Sequence, residues 1–118
     1  MRKPPAVDPV TNEFDIAQID DVIHGRVRLG VMAYLAAADA AEFNTLKEKV
    51  GATDGTLSVH LRKLEEAGYI AIDKSFLARK PLTRARLTPE GRKAFALYLE
   101  AMGRLVLAAS KGAVESEG

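Results

Sequence analysis

Between Lys74 and Lys93 the chain places seven cations, Lys74, Arg79, Lys80, Arg84, Arg86, Arg92 and Lys93, against the single carboxylate of Glu90. The local balance is +6, so the rest of a chain with net charge +1 carries −5. Ammonium and guanidinium groups gathered this way bind phosphates, and their concentration on an otherwise acidic protein predicts a localised polyanion site. Arg84 and Arg86 are two residues apart in a β-prone run, so they share a strand face and can point together toward a duplex. The alternative for this pair is a solvated edge strand whose cations block aggregation, and for Arg79 and Lys80 a mobile loop tip.

A second constellation lies just upstream, in Thr53-Asp54-Gly55-Thr56-Leu57-Ser58-Val59-His60-Leu61-Arg62-Lys63-Leu64-Glu65-Glu66-Ala67-Gly68-Tyr69. Leu57, Leu61 and Leu64 form the apolar stripe of an α-helix, which leaves Gly55, Val59, Arg62 and Glu66 on the opposite side. Thr56 and Lys63 flank that outer face on one side and Ser58 on the other. Small residues near the N-terminus with cations a turn later suit entry into a DNA major groove, where Arg62 can fork onto guanine. The competing reading is a solvated helix face with Arg62 paired to Glu66. His60 falls beside the apolar stripe and reads as a half-buried structural residue.

Other chemistries have little to stand on. The chain has no cysteine and only two histidines, His24 and His60. His24 beside Asp20 and Asp21 reads as a helix cap and a solvated turn, so no metal site is assigned. No nucleophile elbow or phosphate-cradling glycine loop occurs, so no catalytic residue, enzymatic activity or cofactor is expected. At 118 residues the chain has the size of one domain. It lacks an apolar run of membrane-spanning length and a signal-peptide pattern, and a cytoplasmic location is expected.

The elements that must position these residues follow from periodicity. Residues 1–14 are proline-rich and read as a flexible arm. Ile16, Ile19, Val22 and Ile23 have helical spacing, which resumes after Gly25 with Val27, Leu29, Val31, Met32 and Leu35, predicting two consecutive helices or one bent helix. Arg26 and Arg28 stay outside, facing phosphate or solvent. Ala41-Glu42-Phe43 is a candidate one-bridge strand, and Asn44 is expected to cap a short helix over Thr45 to Val50. The turn 51–54 then leads into the leucine-striped helix, in the spacing of a helix-turn-helix. Tyr69 to Leu77 and Thr83 to Thr88 form a hairpin around the basic loop 78–82. Thr88 caps a last helix with Pro89 at its first position. Its stripe of Phe95, Tyr98, Leu99, Met102, Leu105, Val106 and Ala109 is longer than a small core needs, which predicts a partner helix. The expected fold is mostly α with a small β-hairpin, a winged helix-turn-helix with a long C-terminal dimerisation helix over 15–111, followed by a flexible tail at 112–118.

Leu57-Ser58-Val59-His60-Leu61-Arg62-Lys63-Leu64-Glu65-Glu66-Ala67-Gly68-Tyr69-Ile70, followed by Arg86-Leu87-Thr88-Pro89-Glu90-Gly91-Arg92, resembles the small winged-helix transcriptional regulators related to the MarR and ArsR groups. That resemblance spans roughly Asp20 to Met102. It implies a homodimer that binds double-stranded DNA at a pseudo-palindromic operator, as a repressor by analogy. The recognition helix, about 54–67, would present Thr56, Ser58, Val59, Arg62 and Lys63. The wing, about 74–86, would present Arg79, Lys80, Arg84 and Arg86 to the backbone or minor groove. Ile16 and Ile19 with Tyr98, Leu99, Met102, Leu105 and Val106 would build the dimer, with an unidentified small-molecule effector as a further partner. Metal-sensing members use cysteine or clustered histidine, from which this chain departs. The alternative function is a protein-interaction module that docks its basic hairpin on an acidic partner.

Overall fold

The computed structural model describes residues 15–117. The chain divides into two compact units, Asp20–Ala96 and a second that holds the described segments 15–19 and 97–117. Its elements are α1 (Arg26–Ala38), β1 (Ala40–Glu42), α2 (Phe43–Val50), α3 (Asp54–Glu66), β2 (Ile70–Leu77), β3 (Lys80–Leu87) and α4 (Pro89–Glu117). This is the expected winged helix-turn-helix with a long last helix.

The first element differs from its periodicity. Residues 16–23 form only a 3-10 turn at Ile16–Gln18, and α1 starts at Arg26. Two aspartates explain the difference by taking backbone N–H groups locally, which competes with helix formation. Asp15 accepts from Ala17 N at 3.1 Å, and Asp20 Oδ1 accepts from Val22 N at 2.8 Å and Ile23 N at 3.4 Å. Gly25 then turns the chain at φ 141°, a value closed to most side chains. Ile23 is nevertheless fully buried, so the apolar spacing reported burial without helix.

Val27, Val31, Met32 and Leu35 put one stripe of α1 into the core. Gly30 lets α2 approach, because a Cβ there would stand 2.9 Å from Val50 Cγ1. Arg26 is exposed, as expected, but its side chain is tied down: Nη1 donates to Val50 O at 2.8 Å and satisfies a carbonyl at the end of α2. The start of α2 also differs from expectation. Glu42, with extended backbone and no capping side-chain bond, precedes it, and Asn44 falls within the first turn. The cause is β1, whose pairing extends to Glu42 and delivers the chain directly into the helix.

Gly51, in a left-handed conformation at φ 63°, turns α2 into α3, and Lys47 bridges the turn to Asp54 at 2.8 Å. Thr53 caps α3 by accepting from Thr56 N at 3.2 Å. Leu57, Leu61 and Leu64 are its buried stripe, as expected. Gly68, at φ 82°, releases the chain into β2.

The sheet is antiparallel in the order β1-β3-β2. Three residue pairs join β1 to β3, Ala40↔Arg86, Ala41↔Ala85 and Glu42↔Arg84, where one bridge was expected. The hairpin register runs from Ile70↔Leu87 to Leu77↔Lys80. That register shortens the expected loop 78–82 to Ala78-Arg79, whose φ values of 51° and 68° give the two left-handed positions of a primed hairpin turn. Lys80 and Pro81 belong to β3, and Pro81 lies outside the stretch paired with β1.

Thr88 locks the hairpin to α4. Its hydroxyl donates to Gly68 O at 2.5 Å and accepts from Gly91 N at 2.9 Å, while its own N–H donates to Tyr69 O at 3.1 Å. A Cβ at Gly91 would overlap the Tyr69 carbonyl. The two sequence motifs therefore meet in one knot.

In the second unit Ile19, Tyr98, Ala101 and Ala108 are buried, whereas Leu97, Leu99, Val106 and Leu107 are exposed. The backbone of α4 continues to Glu117, past the expected boundary at 111. The expected arm at 1–14 lies outside the described residues. No helix among those described is long and apolar enough to cross a membrane.

Candidate nucleic-acid interface

The outer face of α3 is open. Thr56, Ser58, Val59, Arg62 and Lys63 are all exposed, and among the described residues neither Arg62 nor Lys63 has an ion-pair partner. Arg62 thus does not close onto Glu66, and its five N–H donors remain available to an acceptor.

Two supports hold this face in place. The buried leucines anchor α3 from below, and His60 anchors it from the side, half-buried as expected. Arg28 Nη1 lies 2.8 Å from His60 Nδ1, while the same guanidinium donates through Nε to Val22 O at 2.5 Å and through Nη2 to Asp21 O at 3.4 Å. Arg28 is consequently a strut between α1, the preceding turn and α3, and does not face outward. Burial, then the nearby charges of Arg28 and Lys63, push the His60 pKa below its ordinary value. Asp20, set beside His24 in the sequence, accepts from the Tyr69 hydroxyl at 2.5 Å as well as capping its turn.

The basic cluster separates into two sets. Arg84 lies 4.0 Å from Glu42, Arg86 3.5 Å from Asp73 and Arg92 3.3 Å from Asp39. Lys74, Arg79, Lys80 and Lys93 have no such partner among the described residues. Strand parity separates them again. Opposed residues of an antiparallel pair share a face, and successive residues along a strand change face. Ile70, Ile72, Lys74 and Phe76, with Leu87, Ala85, Thr83 and Pro81 opposite, therefore form one face, whose inner part is the core. Arg84 and Arg86 do share a face, as their spacing requires, but it is the other one.

On the core-side face the sheet continues outward beside α3. Ser58, Leu61, Arg62 and Glu65 from the helix and Ile72, Lys74 and Thr83 from the hairpin line an open groove of about 430 Å³. Lys74 was counted in the basic cluster by sequence but was not among the individual residues assigned to the wing's DNA contacts. Its parity with Ile70 and Ile72 was the available signal. Arg79 and Lys80 sit at the hairpin tip, as expected.

Of the residues expected to build a dimer, Ile16, Leu99 and Val106 are exposed, Met102 and Leu105 are half-buried, and Ile19 and Tyr98 are buried. Leu99, Met102 and Val106, at helical spacing, make one accessible stripe on α4.

A family model for the winged helix DNA-binding domain matches residues 27–106. The chain belongs to this family. Another similar sequence is an uncharacterized protein of Methanocaldococcus jannaschii, 40% identical over 78 residues that cover 66% of this chain and 85% of that one. Among solved structures, the transcriptional regulator homologue of Pyrococcus horikoshii OT3 aligns with a TM-score of 0.67 and 27% identity, covering 72% of this chain and 84% of that one. A proposed MarR-family regulator of Enterococcus faecalis V583 aligns with a TM-score of 0.61 and 25% identity, covering 98% of each chain. This winged-helix domain therefore has the fold of MarR-family transcriptional regulators, with α3 at the recognition-helix position and β2–β3 as the wing.

Proposed function

We propose that the chain is a homodimeric, sequence-specific regulator of transcription that binds double-stranded DNA as a repressor. The observation that carries this reading is the open, unpaired face of α3 running into a groove with Lys74 and ending at a cationic hairpin tip. Thr56, Ser58, Val59, Arg62 and Lys63 read base edges in the major groove, and Lys74, Arg79 and Lys80 hold phosphates alongside. Arg84 and Arg86, engaged with Glu42 and Asp73 respectively on the far face, brace the wing. The exposed stripe Leu99, Met102 and Val106 on α4 supports self-association, which would present two recognition helices about 34 Å apart to a pseudo-palindrome.

Selection of bound duplexes from random and genomic DNA tests the reading. A recovered pseudo-palindrome, with Arg62→Ala relaxing preference at one position per half-site, is the expected result. Light scattering of Leu99→Glu/Val106→Glu should give a monomer with weakened operator affinity. Failure to enrich any sequence over random DNA overturns specific recognition and leaves the basic hairpin as a surface for an acidic protein.

A further inference from the structure

Phe76 is 75% exposed and Leu77 64% exposed, at the tip end of a hairpin that carries Lys74, Arg79, Lys80, Arg84 and Arg86 against Asp73. An apolar pair left in water at a hairpin tip is unexplained by the fold: neither side chain contributes to the core, and the primed turn between Leu77 and Lys80 needs neither. We propose that Phe76 is a wedge that enters the DNA minor groove and partly unstacks a base step, an inference that rests on the DNA-binding reading above.

Three observations select this occupant. The first is charge. Lys74, Arg79 and Lys80 surround Phe76 in sequence and have no carboxylate partner among the described residues, so whatever covers the tip is a polyanion. The second is direction. Phe76 has the same strand parity as Ile72 and Lys74, which line the groove beside α3, so it leaves the sheet on the side that presents the recognition helix. The third is reach. Phe76 lies two positions beyond Lys74, the outermost β2 residue lining the groove, so at about 3.3 Å per residue it stands about 7 Å past the groove's edge. That places it past the major-groove contacts of α3, where a duplex turns its narrower groove. Apolar side chains inserted there unstack steps and bend the helix, and pyrimidine–purine steps yield most readily. Pro81, opposite Phe76 in the register, adds a second apolar group at the same level.

The test uses the full chain and duplexes recovered by selection from a random pool, with 2-aminopurine placed in turn at the steps flanking the protected half-sites. Wild type should raise the fluorescence of one flanking position, the mark of an unstacked base. Phe76→Ala should abolish that rise and weaken binding about tenfold, in line with the value of an aromatic–base stack. Phe76→Leu should retain most of both, and thermal melting should show all three chains folded. Binding by wild type with no fluorescence change, or equal binding by Phe76→Ala, overturns the wedge while leaving DNA recognition intact. No duplex bound by wild type overturns both. Vesicles of phosphatidylglycerol and phosphatidylcholine form the last arm: Phe76-dependent binding to these without Phe76-dependent unstacking assigns the tip to a membrane surface and overturns the proposal.

Discussion

The Arg28 guanidinium reaches His60 Nδ1 at 2.8 Å and so ties α1 to the helix that carries the outward polar face. A guanidinium can only donate, so Nδ1 accepts, the ring is neutral and its proton sits on Nε2. Burial first, then the Arg28 and Lys63 charges, lower the folded-state pKa from 6.5. As pH falls, the unfolded chain therefore takes up this proton before the folded one does. The contribution of the neutral ring is complete above the unfolded value of 6.5 and is lost as pH falls through the folded value. Urea midpoints of wild type should drop between about pH 7.5 and about pH 5 by more than those of His60→Gln. Equal drops in the two chains would remove His60 from the account.

Tyr69 titrates in the opposite sense. Its hydroxyl donates to Asp20 at 2.5 Å, and this hydrogen bond, followed by burial and the Asp20 charge, pushes its pKa from 10.0 up to about 12. A raised folded-state pKa means stability that is fully present below 10 and lost as pH rises toward about 12. Tyr69→Phe should lower stability by about 1.5–3 kcal/mol near neutral pH, the usual value of a hydrogen bond to a charged group. The same variant should show a shallower alkaline loss than wild type, read by chemical denaturation at several pH values. A parallel pair of curves would mean that the bond contributes nothing.

Gly91 sits where α4 begins, and a methyl group there would strike the Tyr69 carbonyl, which is backbone and already accepts from Thr88 N. Neither partner can rotate away. Gly91→Ala should cost about 2–3 kcal/mol, the upper range for an overpacked site. Gly55→Ala, which meets nothing within 4 Å, should be neutral or slightly stabilising. Thermal melts of the two variants side by side check the contrast, and a Gly91→Ala chain as stable as wild type would show that the knot adjusts.

This knot also shows what the sequence could and could not convey. Gly68, Thr88 and Pro89 were readable as local signals, because caps and left-handed exits depend on neighbours in the chain. The role of Gly91 was not readable, because it is set by a carbonyl 22 positions away in the sequence. The same division runs through the site. The leucine stripe of α3 specified its outer face, including Arg62, from spacing alone. Arg26 and Arg28 looked outward by the same logic, yet they end on carbonyls and an imidazole supplied by other elements. Ile16 to Ile23 had the helical period, but two aspartates and a glycine chose a turn. For Arg84 and Arg86, period two revealed a shared face. Choosing which face required reading the inward Ala85 and Leu87 between and after them.

That choice of face yields the most direct test of the interface. If Lys74 stands in the groove beside α3 while Arg84 and Arg86 brace the opposite face, their removal must have different consequences for salt dependence. Each phosphate neutralised on a duplex contributes about 0.9 to the slope of log K against log salt. Lys74→Ala and Arg79→Ala should each flatten that slope by about 1 and weaken all sequences alike. Arg84→Ala and Arg86→Ala remove cations that already pair with exposed carboxylates. Such pairs contribute little to stability, about 0–1 kcal/mol, so both variants should melt close to wild type. Their salt slopes should also match wild type, because no phosphate contact is lost. Anisotropy titrations of one selected duplex at several salt concentrations decide the matter. A flattened slope for Arg84→Ala, with Lys74→Ala unchanged, would mean that the duplex lies against the other face of the wing and that the groove beside α3 is not part of the interface.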